Sequence, residues 1–246
     1  SIVSPGCVNC YAMKQAHRFS GPGQPYEGLT KLTKAGPQWT GVVRTIEAAL
    51  LEPERWRKPQ RIFVNSMSDL FHEDVPDEFI DRVFGVMAAC PHHTFQILTK
   101  RAARMRDYCT RFNTPSDTLA PYRLPGPHGE HLVGLAPLSN VWLGVSAENQ
   151  AMADERIPLL LQTPATVRFI SAEPLIGSVD LSRWMPLREQ THGLDATAEG
   201  GSRGLDWVIV GGESGQKARP CAIEWVESVV EQCQAAGVPA FVKQLG

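Results

Sequence analysis

Six short, mostly apolar runs recur along the chain, and each ends in polar residues. They are Arg61–Val64, Thr94–Leu98, Val141–Val145, Val167–Ile170, Trp207–Val210 and Pro239–Val242. Runs of four or five residues rich in Val, Ile and Phe predict strands buried on both faces. Between them apolar residues return at helical spacing. Phe79, Ile80, Val83, Phe84 and Met87 mark a helix over 76–90, with Pro76, Asp77 and Glu78 suited to its start. Met105, Tyr108, Cys109 and Phe112 mark another over 102–112. Gln150–Leu161, with Pro158 inside it, and Ala222–Ala236 predict two more. This alternation gives an α/β fold built on a parallel sheet. Six strands fit a partial β/α barrel, TIM-barrel-like but short of eight strands. A doubly wound open sheet is the alternative.

The remaining stretches read differently. Val42–Leu51 predicts a helix, whereas 30–40 is polar and mixed, with Gly36 and Pro37 inside it. Residues 113–138 and 181–205 are irregular and read as two insertions in a single domain spanning 1–246.

In parallel α/β folds the site lies at the carboxyl ends of the strands. Here those ends deliver Asn65, Ser68 and Asp69, then Lys100, Glu148, Glu173, Glu213 and Lys243. Glu148 and Glu173 share a Ser-Ala-Glu frame. They are candidates for acid–base work together with Lys100, or they pair with Lys100, Arg168 or Lys243. Gly211, Gly212, Glu213 and Ser214 form a glycine-rich turn. Its backbone can approach a ligand closely, and Glu213 and Lys243 can bind polar groups. The competing reading is a tight turn that needs glycine for its angles. Asn65, Ser68 and Asp69 either bond a polar ligand or cap the next turn.

The first dozen residues carry the sharpest chemical signal. Cys7 and Cys10 are two residues apart on a Pro-Gly turn that enters a helix-like run. This spacing presents two thiolates to one metal or makes a redox dithiol, and the helix N-terminus favours their ionisation. Two thiolates do not close a metal site, so another ligand is required. Cys90, Cys109 and Cys233 fall on apolar helix faces and belong to the core, while Cys221 is a weaker ligand candidate. Six cysteines in 246 residues, with no membrane-spanning run, suit a reducing, cytoplasmic setting. A net charge of -2 argues against a broad nucleic-acid footprint but leaves room for a local basic patch. The basic run Lys100, Arg101, Arg104, Arg106 and Arg111 is either a solvated face or a phosphate contact. His72 lacks partners at metal-ligand spacing. His92 and His93, in a proline-bounded turn, are expected to be solvated.

The segments Ser4-Pro-Gly-Cys-Val-Asn-Cys-Tyr-Ala12, Gly36-Pro-Gln-Trp-Thr-Gly41 and Ile62-Phe-Val-Asn-Ser-Met-Ser-Asp-Leu-Phe-His72 carry a family likeness. So do Gln96–Arg101, Trp142–Ser146, Arg168–Leu175, Trp207–Gly215 and Phe241–Gln244. Together they resemble an uncharacterised three-Cys-motif family of phages and bacteria, a phage-protein domain of unknown function. The resemblance implies a third cysteine immediately before Ser1, in the pattern C-x6-C-x2-C. Three cysteines leave one iron of a 4Fe-4S cluster open. That is where S-adenosylmethionine binds in radical enzymes, whose six-stranded partial barrel the predicted strands resemble. Gly211-Gly-Glu213 is similar to the segment that meets the methionyl amine in those enzymes. In this chain the cysteine spacing is longer than their C-x3-C-x2-C, and Gly-Gly-Glu follows the fifth strand instead of the second.

The expectation is therefore a radical S-adenosylmethionine enzyme with Cys7 and Cys10 as cluster ligands. Its radical would abstract hydrogen from a substrate held at the strand ends. The phage association implies DNA, RNA or a nucleotide as substrate. Two other classes stand beside it: a nucleic-acid-binding module with structural zinc, and a metal-independent barrel hydrolase using Glu148 and Glu173.

Overall fold

The fold is taken from a computed structural model that describes residues 2–111, 122–126, 129–133, 137–186, 204–215 and 217–245. A single-turn 3-10 helix, Pro5–Cys7, leads into α1 (Tyr11–Arg18). Two strands, β1 (Thr30–Thr33) and β2 (Gly36–Trp39), pair antiparallel as a hairpin. The polar 30–40 stretch thus forms strands without an apolar run. The expected helix over Val42–Leu51 is corrected to two short ones, α2 (Glu47–Leu50) and α3 (Glu52–Arg55). Pro53, in the first turn of α3, suits a helix start and is disfavoured inside a continuing one, where it removes a hydrogen bond.

The main sheet follows. Its strands are β3 (Arg61–Val64), then after α4 (Asp77–Ala89) β4 (Thr94–Thr99). After α5 (Ala102–Thr110) the chain forms a small hairpin, β5 (Tyr122–Gly126) with β6 (Gly129–Val133), beside α4. The rest of the first insertion, and most of the second, lies outside the described residues. The sheet resumes with β7 (Val141–Ser146), α6 (Gln150–Gln162), β8 (Val167–Ala172), β9 (Trp207–Val210), α7 (Ile223–Ala236) and β10 (Ala240–Val242). Asn149 caps α6, its side chain accepting from Met152 N at 3.0 Å, and the helix runs through Pro158 to Gln162.

All six sheet strands are parallel, in the order β10-β9-β8-β7-β4-β3. Chain order is spatial order, so there is no reversal point of the doubly wound kind. Right-handed crossovers then put the connecting helices α4 to α7 on the same side, as in a barrel, and strand twist curls the sheet into a half-barrel.

The period of two along each strand sorts the side chains. Phe95, Ile97, Val141, Leu143, Val145, Ile170, Ala172, Val208 and Val210 point outward into one core with α4 to α7. Those helices contribute Ile80, Met87, Met105, Tyr108, Ile157, Leu160, Val229 and Cys233. Cys90, Cys109 and Cys233 are buried there, as expected. The alternate positions line the concave face. Trp142, Phe169 and Trp207 meet there, with ring centroids 6.0 and 5.4 Å from Trp207. Phe169 reaches over Gly144, where an added Cβ would stand 2.6 Å from the ring. No helix among the described residues is long and apolar enough to cross a membrane.

Candidate functional site

The same alternation carries the concave face out to the strand ends. Lys100 lies two residues beyond Leu98, Glu148 two beyond Ser146, Glu173 two beyond Ser171, and Lys243 two beyond Phe241. The strand-end residues are therefore gathered around one mouth, and the N-terminal turn closes over part of it.

Glu148 is the centre of this arrangement. It is 0 % exposed. Gly6 N donates to its Oε1 at 3.0 Å, and the Ser4 hydroxyl donates to the same atom. Lys100 Nζ and Arg156 Nη1 reach its Oε2 at 3.1 and 3.0 Å. Burial alone would push this carboxyl up. Lys100, the Ser4 hydroxyl and Arg156 outweigh it and bring the group down to about 2. Arg156 also donates to Ser146 O at 2.9 Å, so the ion pair is fastened to the end of β7. A Cβ on Gly6 would come within 2.9 Å of Glu148 Oε1, so only glycine lets the turn approach the carboxylate this closely.

Glu213 holds the other side of the turn. Its oxygens accept from Arg219 Nη2 at 2.6 Å, Arg219 Nε at 3.0 Å, Arg219 N at 2.9 Å and Asn9 Nδ2 at 3.1 Å. Burial pushes this carboxyl up, and the contacts from Arg219 and Asn9 carry it below its ordinary value. Arg219 Nη1 also donates to Pro5 O at 3.0 Å, and the Tyr11 hydroxyl donates to Ser66 O at 3.0 Å. The Cys7–Cys10 turn is thus tied to the ends of β3, β7 and β9. Gly211 and Gly212 are buried, and their amides donate to Ala172 O and Gln244 O. Ser214 is exposed at the rim.

Glu173 pairs with Lys243 Nζ at 3.0 Å and accepts from Gln244 Nε2 at 3.4 Å. Ion pairing therefore accounts for both carboxylates through Lys100 and Lys243, while Arg168 turns away to Thr163 O. Asp69 is occupied structurally. It accepts from Phe71 N, Thr99 Oγ1, Lys100 N and Arg101 Nη1, which locks the end of β4. Asn65 is exposed and takes the left-handed backbone at φ 60, a conformation asparagine tolerates better than most residues. Ser68 is exposed beside it.

Cys7 and Cys10 are both half-buried free thiols. The expectation that the helix N-terminus would ease ionisation is corrected for Cys10. Burial pushes its thiol up and prevails, with Cys7 adding to it, although the amides of Ala12 and Met13 and the charge of Lys100 pull it down. Across the mouth Lys100, Arg156, Lys243 and Arg219 face Glu148, Glu173 and Glu213. With Arg101 on Asp69 and Glu73 beside them, the charges around the mouth are matched in ion pairs. Among the described residues no three His, Cys, Asp or Glu side chains are gathered as a metal site.

The cations of the basic run from Lys100 to Arg111 are held in ion pairs around α5. Lys100 pairs with Glu148, Arg101 with Asp69 and Glu73, Arg104 and Arg111 with Asp77, and Arg106 with Asp107. His93 is not solvated but 1 % exposed, with both ring nitrogens bonded. Sequence reasoning missed Ser4, Asn9, Arg156 and Arg219. Only Arg156 leaves a legible signal, a charge among the apolar positions Ala153, Ile157 and Leu160 of α6.

The fold and site define an α/β half-barrel whose mouth is partly covered by a dithiol turn held on buried carboxylates. The chain belongs to the family described as protein of unknown function DUF5131, whose model matches residues 1–246. No curated protein matches the chain, and no solved structure does.

Proposed function

We propose that the protein is an iron–sulfur enzyme of the radical S-adenosylmethionine type, with Cys7 and Cys10 as two of the cluster ligands. One observation carries this reading: a Cys-x-x-Cys turn is fastened across the strand ends of a six-stranded half-barrel by buried Glu148 and Glu213. The donor set fits in kind. Both thiols are half-buried on one turn, and the charge of Lys100 pulls the Cys10 thiol toward the thiolate against its burial. It does not complete a cluster, which needs at least one more ligand than the described residues provide.

Bound there, the cluster and S-adenosylmethionine would supply an organic radical that takes a hydrogen atom from the substrate. The chain's own residues hold the site. Glu148 and Glu213 are positioning residues, their oxygens spent on the turn and its cations. Lys100 stands between Glu148 and the charge field of Cys10. Glu173, Lys243, Asn65 and Ser214 line the more open side and are the side chains available to cofactor or substrate. Nucleic acid or a nucleotide is the substrate class proposed.

Structural zinc on the same thiols is the second reading, favoured by the simple Cys-x-x-Cys spacing. The hydrolase reading has less support, because Glu148 is sealed from solvent and Glu173 is neutralised by Lys243. Anaerobic purification of the full-length protein, with iron, sulfide and zinc counts and a visible spectrum, tests the assignment. A brown protein with about four irons per chain is expected. Cys7→Ala and Cys10→Ala should each lose the cluster. Stoichiometric zinc without iron, or a full cluster retained in both variants, overturns the proposal.

A further inference from the structure

At the opposite end of β3 lies a second cluster of charge. Arg55, Arg57, Lys58 and Arg61, with Trp56 and Gln60, line a groove of ≈ 680 Å³. Four of the seven residues from 55 to 61 are cationic, in a chain of net charge -2. All four cations are exposed, and Trp56 is 41 % exposed among them. None of the four is paired with a carboxylate of the described residues. The contrast with α5 is direct, since there every cation of the basic run has an acidic partner.

The loop that carries these cations is built, not loose. His93 Nδ1 accepts from Gln60 N at 3.1 Å, so the proton of its neutral ring sits on Nε2, 2.9 Å from Pro53 O. His92 Nε2 lies 3.1 Å from Trp56 O. Trp56 packs edge-on against His93 with centroids 6.1 Å apart. Two histidines from the α4–β4 turn thus pin both sides of the loop, and the tryptophan keeps an exposed surface between the charges.

We infer that this groove binds a single strand of nucleic acid, its phosphates on Arg55, Arg57, Lys58 and Arg61 and a base stacked on Trp56. Unpaired cations flanking an exposed aromatic ring match the alternation of phosphate and base along such a strand. A protein partner of acidic character would use the cations but has no need of an exposed indole between them. β3 is four residues long, so the groove and the mouth are separated by about 13 Å along the strand. That separation makes the groove a place where a polymer is held while another part of it reaches the mouth. The inference deepens the proposed substrate class, yet its test needs no cofactor, so the two can fail separately.

The test is fluorescence anisotropy of labelled oligo-U and oligo-dT, each about 15 nucleotides, on the full-length protein between about 50 and 200 mM salt. Four phosphate contacts predict a log–log salt slope near -3 (about 0.7 per phosphate for single strands). The triple variant Arg55→Ala, Arg57→Ala, Lys58→Ala should flatten the slope by about 2 and weaken binding at least roughly tenfold. Trp56→Ala should weaken it about tenfold, and Trp56→Phe should restore most of that. A preference for one oligonucleotide identifies the polymer. Far-UV circular dichroism confirms that the variants fold, as their exposed positions lead one to expect. Absence of binding by the wild type, or an unchanged slope in the triple variant, overturns the inference. So does heparin, which has no bases, competing as well as the oligonucleotides while Trp56→Ala has no effect.

Discussion

A buried carboxylate held by two cations and the amide and hydroxyl of a distant turn makes Glu148 the residue on which the mouth depends. Removing one cation leaves charge buried without its partner. Arg156→Met should therefore cost about 3 kcal/mol or more, read from urea denaturation, even though Met fills similar space. A change near zero would mean that Lys100 alone satisfies the carboxylate. The same group makes stability depend on acid. Its folded pKa of about 2 lies below the ordinary carboxylate value of 4.5. The stabilisation is complete above pH 4.5 and is lost as pH falls toward 2. The difference corresponds to about 3 kcal/mol. Measured between pH 6 and pH 2, Glu148→Gln should be less stable throughout but flatter across the acid window. An equally steep variant would assign the acid sensitivity to other carboxylates.

At the scale of elements, the concave face is set by what the strands do not carry. Gly144 on β7 leaves room for the Phe169 ring from β8, which itself packs against Trp207 of β9. Gly144→Ala places a methyl into a ring that is fully buried and held on its far side. A loss of about 1–3 kcal/mol in thermal unfolding is expected, and Phe169→Leu in the same chain should recover part of it. If Gly144→Ala alone is neutral, the ring has freedom that its packing does not suggest. The elements themselves were largely readable. All six sheet strands announce themselves as apolar runs, but burial on both faces holds only for the inner strands; the edge strands β3 and β10 leave Phe63, Phe241 and Val242 exposed. The β1–β2 hairpin was not readable, since Thr30–Trp39 buries little and its pairing rests on turn geometry and backbone bonds. The split at Pro53 was legible as proline chemistry but hidden under a helical pattern.

For the whole molecule, strand positions could be listed from the sequence, but their order could not. That order follows from crossover handedness and packing across the entire sheet. The mouth shows the same division. A strand period of two predicts that Lys100, Glu148, Glu173 and Lys243 converge, whereas the contacts of Ser4 and Asn9 span more than a hundred residues and have no local signature. The sheet also stops at β3 on one side and β10 on the other, and among the described residues these two strands do not pair with each other. In a closed ring of strands, number and shear dictate the radius. An arc has no such constraint. The turn bearing Cys7 and Cys10 supplies one instead: tied to β3, β7 and β9, it straps much of the arc and sets how far apart those strand ends stand.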